Sequence, residues 1–397
     1  MKIAIIGDGA IGWSIYAELK LIDPQLKIKI FGNIEPSASR AAGAMLNVFS
    51  EIDENTFIHP VCREKFDLSV QATKLWPEWA VRHDLPVEFG RTKIVAFNEY
   101  DARNIVRIVD GLKCQDQPHL FGPIDHSVTI DEGWINPVSL LAALSRNTPA
   151  LPFSDYKSEN FDQVIYCAGA YTPKLLKFHV KTYYNHGACG VFRCEHGLTE
   201  VVRTPNRFGS CGINLVPRGT SELYIGASTY VSNSAHYTDT EIYRSFRHIF
   251  TQANALVALP ITEEYRIVFG PRPMTEDLLP LLGAYDEKTI VYCGTNRNGL
   301  TLSPLIAQDA VSRILGGKPM IGDTFSPLRK PTYWIDKAAA IRQTIEGLQN
   351  NAVLHNEPEF DFYAAVHKFY ETYNIEFGIP PELYSIYHRQ QQANTER

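Results

Sequence analysis

Gly7, Gly9 and Gly12 stand in the spacing G-x-G-x-x-G within Gly7-Asp8-Gly9-Ala10-Ile11-Gly12. That spacing suits one piece of chemistry, the cradling of a pyrophosphate by backbone. Gly7 permits the tight turn, Gly9 lets main chain come close to the phosphates, and Gly12 lets a helix pack closely on a strand. Ala10 and Ile11 fall inside the motif as further cofactor candidates, and the helix amino terminus after it attracts the anion through its free N–H groups.

The elements that must hold such a turn flank it. Ile3-Ala4-Ile5-Ile6 is an apolar run of strand length, and Trp13-Ser14-Ile15-Tyr16-Ala17-Glu18-Leu19-Lys20 reads as a helix. A glycine-rich turn alone is commonplace; strand before and helix after make it a dinucleotide fingerprint. Lys2 ahead of an apolar run imitates a secretory leader, but the run is short and broken by glycines and Asp8, so a first strand is expected.

NAD and FAD both use this turn. Leu26-Lys27-Ile28-Lys29-Ile30-Phe31 alternates as a second strand should, and an acid that grips the ribose hydroxyls is expected at its end. Gly32-Asn33 stands there instead. Asn33 is the candidate substitute, with water and backbone as the other route. The next segment favours FAD: Ser37-Ala38-Ser39-Arg40-Ala41-Ala42-Gly43-Ala44-Met45-Leu46-Asn47 is a run of small residues, which lets backbone pass close to a flat ring. Standing alone, the run equally fits the start of an Ala-rich helix.

Composition bounds the remaining classes. The chain has 397 residues, 45% hydrophobic and 21% charged, as soluble globular proteins do, and its length suggests two or three domains. A net charge of −6 offers no basic footprint for nucleic acid, and no stretch has the apolar length of a membrane span. Seven cysteines are scattered without a C-x-x-C pair, so neither a zinc site nor a disulfide framework is expected and a reducing cytoplasm is the simplest setting. His179, His186 and His236 lack metal-ligand spacing, and no metal is expected.

The small-residue run resembles the S-x-A-A-x-G-M-L stretch of the D-amino-acid-oxidase-like FAD-dependent oxidoreductases, in particular the glycine oxidase and sarcosine oxidase branch. Other segments follow in that family's order: Asp131 to Pro137 with Leu140 to Leu144, then Phe161 to Tyr171, which resembles its D-x-V-V-x-A-G-A turn. Val216-Pro217-Arg218 and Tyr224 to Ser228 resemble its substrate-domain strands. Gly270-Pro271-Arg272-Pro273-Met274-Thr275-Glu276-Asp277 with Pro280 to Gly283 is similar to G-x-R-P-x-T-x-D…P-x-x-G. Cys293 to Pro304 is similar to G-H-x-R-N-G-I-x-L-A-P, with Thr295 where the family commonly has His. The resemblance covers residues 1 to about 328.

The resemblance implies an α/β fold in which a Rossmann-like FAD-binding domain (residues 1–50, 136–178 and 271–328) is interleaved with an antiparallel-sheet α+β substrate domain (51–135 and 179–270). Within this frame residues 60–82 and 305–316 are expected as helices, 92–97 as a strand and 179–270 as sheet. Residues 145–160 are too short for the family's usual β-meander. A helical C-terminal extension (329–397) follows, with helices at 335–350 and 359–373 and a polar tail from Gln390. Its stripe Ile335, Ala338, Ile341, Ile345 and Leu348 fits packing on its own domain, or contact with a partner or a second copy.

The chemistry implied is oxidation of the C–N bond of a carboxylated amine by hydride transfer to noncovalent FAD, with dioxygen as acceptor. Arg272 matches the arginine that holds the substrate carboxylate; a guanidinium fork suits a carboxylate, although pairing with Glu276 or Asp277 is the other role open to it. Arg297 would lie beside flavin and substrate. Gly169, Thr295, Asn296, Asn298, Gly299, Leu300 and Thr301 fall in the cofactor motifs, with a helix starting at Asn298 turned to the ring. Ser39, Arg40, Ala44, Met45 and Leu46 join them. Tyr230 is placed to roof the substrate, core packing being its other role. Two further readings stay open: a dehydrogenase passing electrons to a quinone or protein, and an assembly subunit that no longer turns over.

Overall fold

The computed structural model describes residues 1–32, 36–113, 127–146, 148–207, 211–257, 264–354 and 360–395. Two sheets built on different rules organise them. The first is six-stranded and mostly parallel, in the spatial order Leu281–Ala284, Thr289–Cys293, Gln163–Tyr166, Lys2–Ile6, Lys27–Gly32, Leu151–Pro152. Strand Lys2–Ile6 has parallel neighbours on both sides, and Ile3, Ala4, Ile5 and Ile6 are fully buried, as an interior parallel strand demands. Helix Ala10–Ile22 packs on helix Ser303–Ile314, so the apolar faces of both close over this sheet.

The second sheet is nine-stranded and largely antiparallel. Its longest pairing joins Tyr265–Thr275 to Thr182–Arg193, with Arg272 opposite Asn185. The expected helix at 60–82 spans Pro60–His83, started by His59 Nδ1 accepting from Val61 N. Trp76 and Trp79 lie on its inner face in an edge-to-face pair, both almost fully buried. Strand 92–97 is part of Val87–Val95, and helix 305–316 is Ser303–Ile314, beyond which Gly316 takes a φ of +77°. Residues 145–160 hold a two-residue strand and two short 3-10 turns, consistent with the missing meander.

Two expectations need correction. The segment 179–270 is not sheet throughout, because it contains helix Asp239–Leu256. Thr238 and Glu241 form a reciprocal capping box, and Ile242, Phe246, Ile249 and Ala253 give the helix one buried face. The polar tail from Gln390 is also helical: helix Pro381–Thr395 runs through it. Its inner half buries Leu383 and Ile386, and that packing carries the polar residues along.

The C-terminal helices Lys337–Leu354, Phe362–Thr372 and Pro381–Thr395 pack on their own chain. Ile341, Ile345, Val366, Phe369 and Leu383 form one apolar cluster with Tyr183, Val231 and Met274 of the antiparallel sheet. Of the predicted stripe Ile335 is buried in the apolar cluster that holds Ile3, Ile5 and Leu305, whereas Ala338 is exposed. Arg329 holds the buried Asp277 carboxylate with both terminal nitrogens, and Trp334 Nε1 donates to Asp277 O at 2.6 Å. Arg389 Nη2 reaches Val231 O at 2.7 Å. No helix among the described residues is long and apolar enough to cross a membrane.

Candidate functional site

The glycine turn is fixed by crowding. Gly7 has a φ of +125°, and a Cβ there would lie 2.4 Å from Cys167 O. A Cβ on Gly12 would lie 1.9 Å from Gly7 O. Gly9 is the N-cap of helix Ala10–Ile22 and supplies no side-chain cap; Ser39 Oγ accepts from Ala10 N at 3.0 Å. The turn therefore presents helix N–H groups and bare backbone to the cavity it lines. Asp8 is 6% exposed, with its Oδ2 2.9 Å from Arg40 Nη2.

That cavity is about 180 Å³ and runs from the turn to the antiparallel sheet. Of the residues predicted for cofactor and substrate it gathers Gly7, Gly9, Ala10, Ile11, Ser39, Ala44, Met45, Gly169, Thr295, Asn296, Gly299 and Leu300, with Arg272 and Arg297. Gly12 acts through packing, and Arg40 sits behind Asp8. Leu46 is core, paired with Gly133, and Asn298 faces a neighbouring cavity. Asn33 lies outside the described residues. Asn298 does not begin a helix: it lies outside any element, residues 299–302 are turn, helix Ser303–Ile314 follows, and Thr301 O is taken by Trp76 Nε1 at 2.9 Å. Tyr230 stacks on Tyr237 at 5.6 Å under the Arg389 guanidinium and lines a third cavity beyond Cys211. It is not among the residues brought together around Arg272.

Arg272 owes its course to a glycine. Its side chain crosses Gly187, where a Cβ would lie 2.0 Å from Nη2. Nη1 donates to Ser228 O at 3.2 Å, and among the described residues no carboxylate pairs with it. The two acids that could have neutralised it are engaged elsewhere, Asp277 by Arg329 and Glu276 by Lys181 N at 2.7 Å. An arginine fork without a carboxylate partner, opening on a cavity, has the chemistry to receive an anion.

Arg297 is different. Its Nη2 is 3.1 Å from Glu51 Oε2, and Glu51 Oε1 also receives Arg203 Nη1 at 2.9 Å. Burial opposes the Glu51 charge, but the two guanidiniums, with Asn206, outweigh it and hold the carboxyl at about 2. Glu51 sits on the turn Phe49–Glu51, which Glu132 clamps: Glu132 Oε1 accepts from the N–H groups of Val48, Phe49 and Ser50 within 3.0 Å. Burial pushes the Glu132 carboxyl up. Arg297 is thus a held charge between two cavities that share Glu51, Asn296 and Arg297.

Sequence reasoning missed Glu51 and Cys211. No cysteine is near Arg272 along the chain, yet Cys211 lines the same cavity. Burial works against its thiolate, but Arg297 and Arg272, with a hydrogen bond from Arg297, outweigh it and hold the thiol below its ordinary range. The second cavity is polar. Asn185, 1% exposed, and Glu382 of the C-terminal extension line it, and each has one buried side-chain oxygen without a hydrogen-bond partner. No metal-binding cluster occurs among the described residues.

The sequence model of the FAD dependent oxidoreductase (DAO) family matches residues 2–313. The chain belongs to this family. Glycine oxidase of Geobacillus kaustophilus (strain HTA426) is 24% identical over 365 residues, 78% of this chain and 93% of that protein. The crystal structure of glycine oxidase from Geobacillus kaustophilus superposes with a TM-score of 0.66 at 22% identity, over 83% of this chain and 99% of its own. Iminodiacetate oxidase from Chelativorans sp. BNC1 gives 0.64 at 16%, over 83% and 100%. L-proline dehydrogenase from P. horikoshii gives 0.60 at 14%, over 83% and 99%. The protein is an FAD-dependent oxidoreductase. The glycine turn at the helix start and the cavity it lines fit that cofactor.

Proposed function

We propose that this member of the DAO family oxidises the C–N bond of an amino acid or related carboxylated amine, giving an imine. The observation that carries this reading is Arg272, which has no carboxylate partner among the described residues and opens on the cavity that the glycine turn lines.

Gly7, Gly9, Ala10 and Ser39 would hold the pyrophosphate end of FAD, and Ala44, Met45, Gly169, Thr295 and Asn296 the ring. FAD supplies the hydride acceptor when bound. Arg272 takes the carboxylate with its fork and so fixes the α-carbon, turning an encounter into an oriented approach. Ser228 O fixes one edge of that fork. An amine that arrives neutral needs no dedicated base, and none is assigned. Arg297, balanced by Glu51, keeps a positive potential beside the site without offering a second strong carboxylate hole. Residues 1–50, 136–178 and 271–328 would serve the cofactor, and 51–135 and 179–270 the substrate.

The adjoining cavity supports a substrate larger than glycine. Asn185 and Glu382 line it, each with an unpartnered side-chain oxygen, so the extra group is polar. Dioxygen is the proposed electron acceptor. The test is anaerobic bleaching of the flavin spectrum by a panel of amino acids and N-alkyl amino acids, followed by peroxide measurement on admitting air. Bleaching with a carboxylated amine and then peroxide support the reading. No bleaching across the panel overturns it, and bleaching without peroxide moves the acceptor to a quinone or protein.

A further inference from the structure

We propose that Asp8 holds the adenosine ribose of FAD, taking over the task usually given to an acid at the end of the second strand. In dinucleotide folds that acid accepts hydrogen bonds from the ribose hydroxyls. Here strand Lys27–Gly32 ends without a side chain. A Cβ built on Gly32 would lie 2.4 Å from Asp8 Cγ and 2.5 Å from Asp8 Oδ1. The Asp8 carboxylate therefore stands in the volume that an acid at position 32 would enter. The two side chains exclude each other, and the carboxylate here stands in the glycine turn and not at the strand end.

Its setting fits a diol. Asp8 lines the cofactor cavity between Gly7 and Gly9. Its side chain is 9% exposed, and Arg40 Nη2 engages Oδ2 at 2.9 Å. A carboxylate has about four acceptor positions, so Arg40 can orient it and leave capacity for two hydroxyl donors. A buried carboxylate is costly when its remaining positions are unfilled, which a vicinal ribose diol would correct. The ligand class is a nucleotide with an unmodified ribose.

The test needs no turnover. Apoprotein is titrated with FAD and with its 2′-deoxyadenosine analogue, and binding is read from flavin fluorescence. The native protein is expected to prefer FAD by about 10-fold, the worth of a hydrogen bond to a charged group. Asp8→Asn, close in volume, is expected to lose most of that preference. Gly32→Glu alone is expected to lose FAD, because the two side chains collide. Asp8→Gly combined with Gly32→Glu is expected to bind FAD again and to restore the preference. A structural role for the Asp8–Arg40 pair would weaken both ligands equally. The proposal is overturned if the native protein binds both ligands alike, or if Asp8→Asn keeps the native preference.

Discussion

Glu51 and Arg297 form an ion pair of 3.1 Å at the place where the two cavities meet. Arg203 and Asn206, far from both in the chain, also hold Glu51, and Glu132 on another strand fixes the turn that carries it. The pair holds a cation at the wall of the cavity lined by the glycine turn and also ties distant segments together, so the two contributions can be separated by experiment.

Glu51→Gln leaves Arg203, fully buried, without its counter-charge. The expected cost is about 3–5 kcal/mol, as for other broken buried pairs, measured by denaturant unfolding. The pH dependence has a definite sign. Glu51 is held at about 2 in the folded chain against an ordinary 4.5, so its contribution is complete above 4.5 and is lost as pH falls towards 2. Over that window the native protein should lose stability faster than Glu51→Gln; equal slopes would show that the pair is not ionised as described.

Arg329→Ala is expected to destabilise by a similar amount, about 3–5 kcal/mol, because it strands the Asp277 carboxylate, 2% exposed, in the interface with the C-terminal extension. Thermal unfolding checks this. An unchanged midpoint would mean that the extension docks without this pair.

Gly187→Ala should act on Arg272 alone. The added methyl would meet Nη2 at 2.0 Å and must push the guanidinium off its course. FAD affinity should stay native, while KM for a carboxylated substrate rises about 10-fold or more, the worth of a charged hydrogen bond. Unchanged KM would remove Arg272 from the substrate.

Cys211 should alkylate readily below pH 9, because Arg297 and Arg272 overcome its burial and favour the thiolate. Iodoacetamide labelling followed by peptide mapping gives the rate against pH. A carboxylate bound at Arg272 should slow it; labelling that is indifferent to both pH and carboxylate would contradict the placement.

What the sequence revealed was local. Gly7, Gly9 and Gly12 shape one turn within six residues, Gly12 packing directly on Gly7 O, so their spacing was readable although Gly7 and Gly9 are also crowded by Cys167 and Ser39. Arg272 was legible from its motif, although Gly187, which lets it lie across the sheet, was not, because the strand register that joins them is set by tertiary pairing. Glu51, Cys211 and Asp8 escaped for the same reason: each matters through a residue more than twenty positions away. The helix through Gln390 escaped because its polar half has no periodicity of its own and is carried by packing of Leu383 and Ile386.

The central claim, that Arg272 presents a carboxylated amine to the flavin, is tested most directly by anaerobic flavin reduction in native protein and in Arg272→Met, each loaded with FAD. The native flavin should bleach with a carboxylated amine, and the same amine should bleach Arg272→Met at least about 10-fold less efficiently, with a decarboxylated analogue showing no difference between the two. Equal bleaching of both proteins by the carboxylated amine would contradict it.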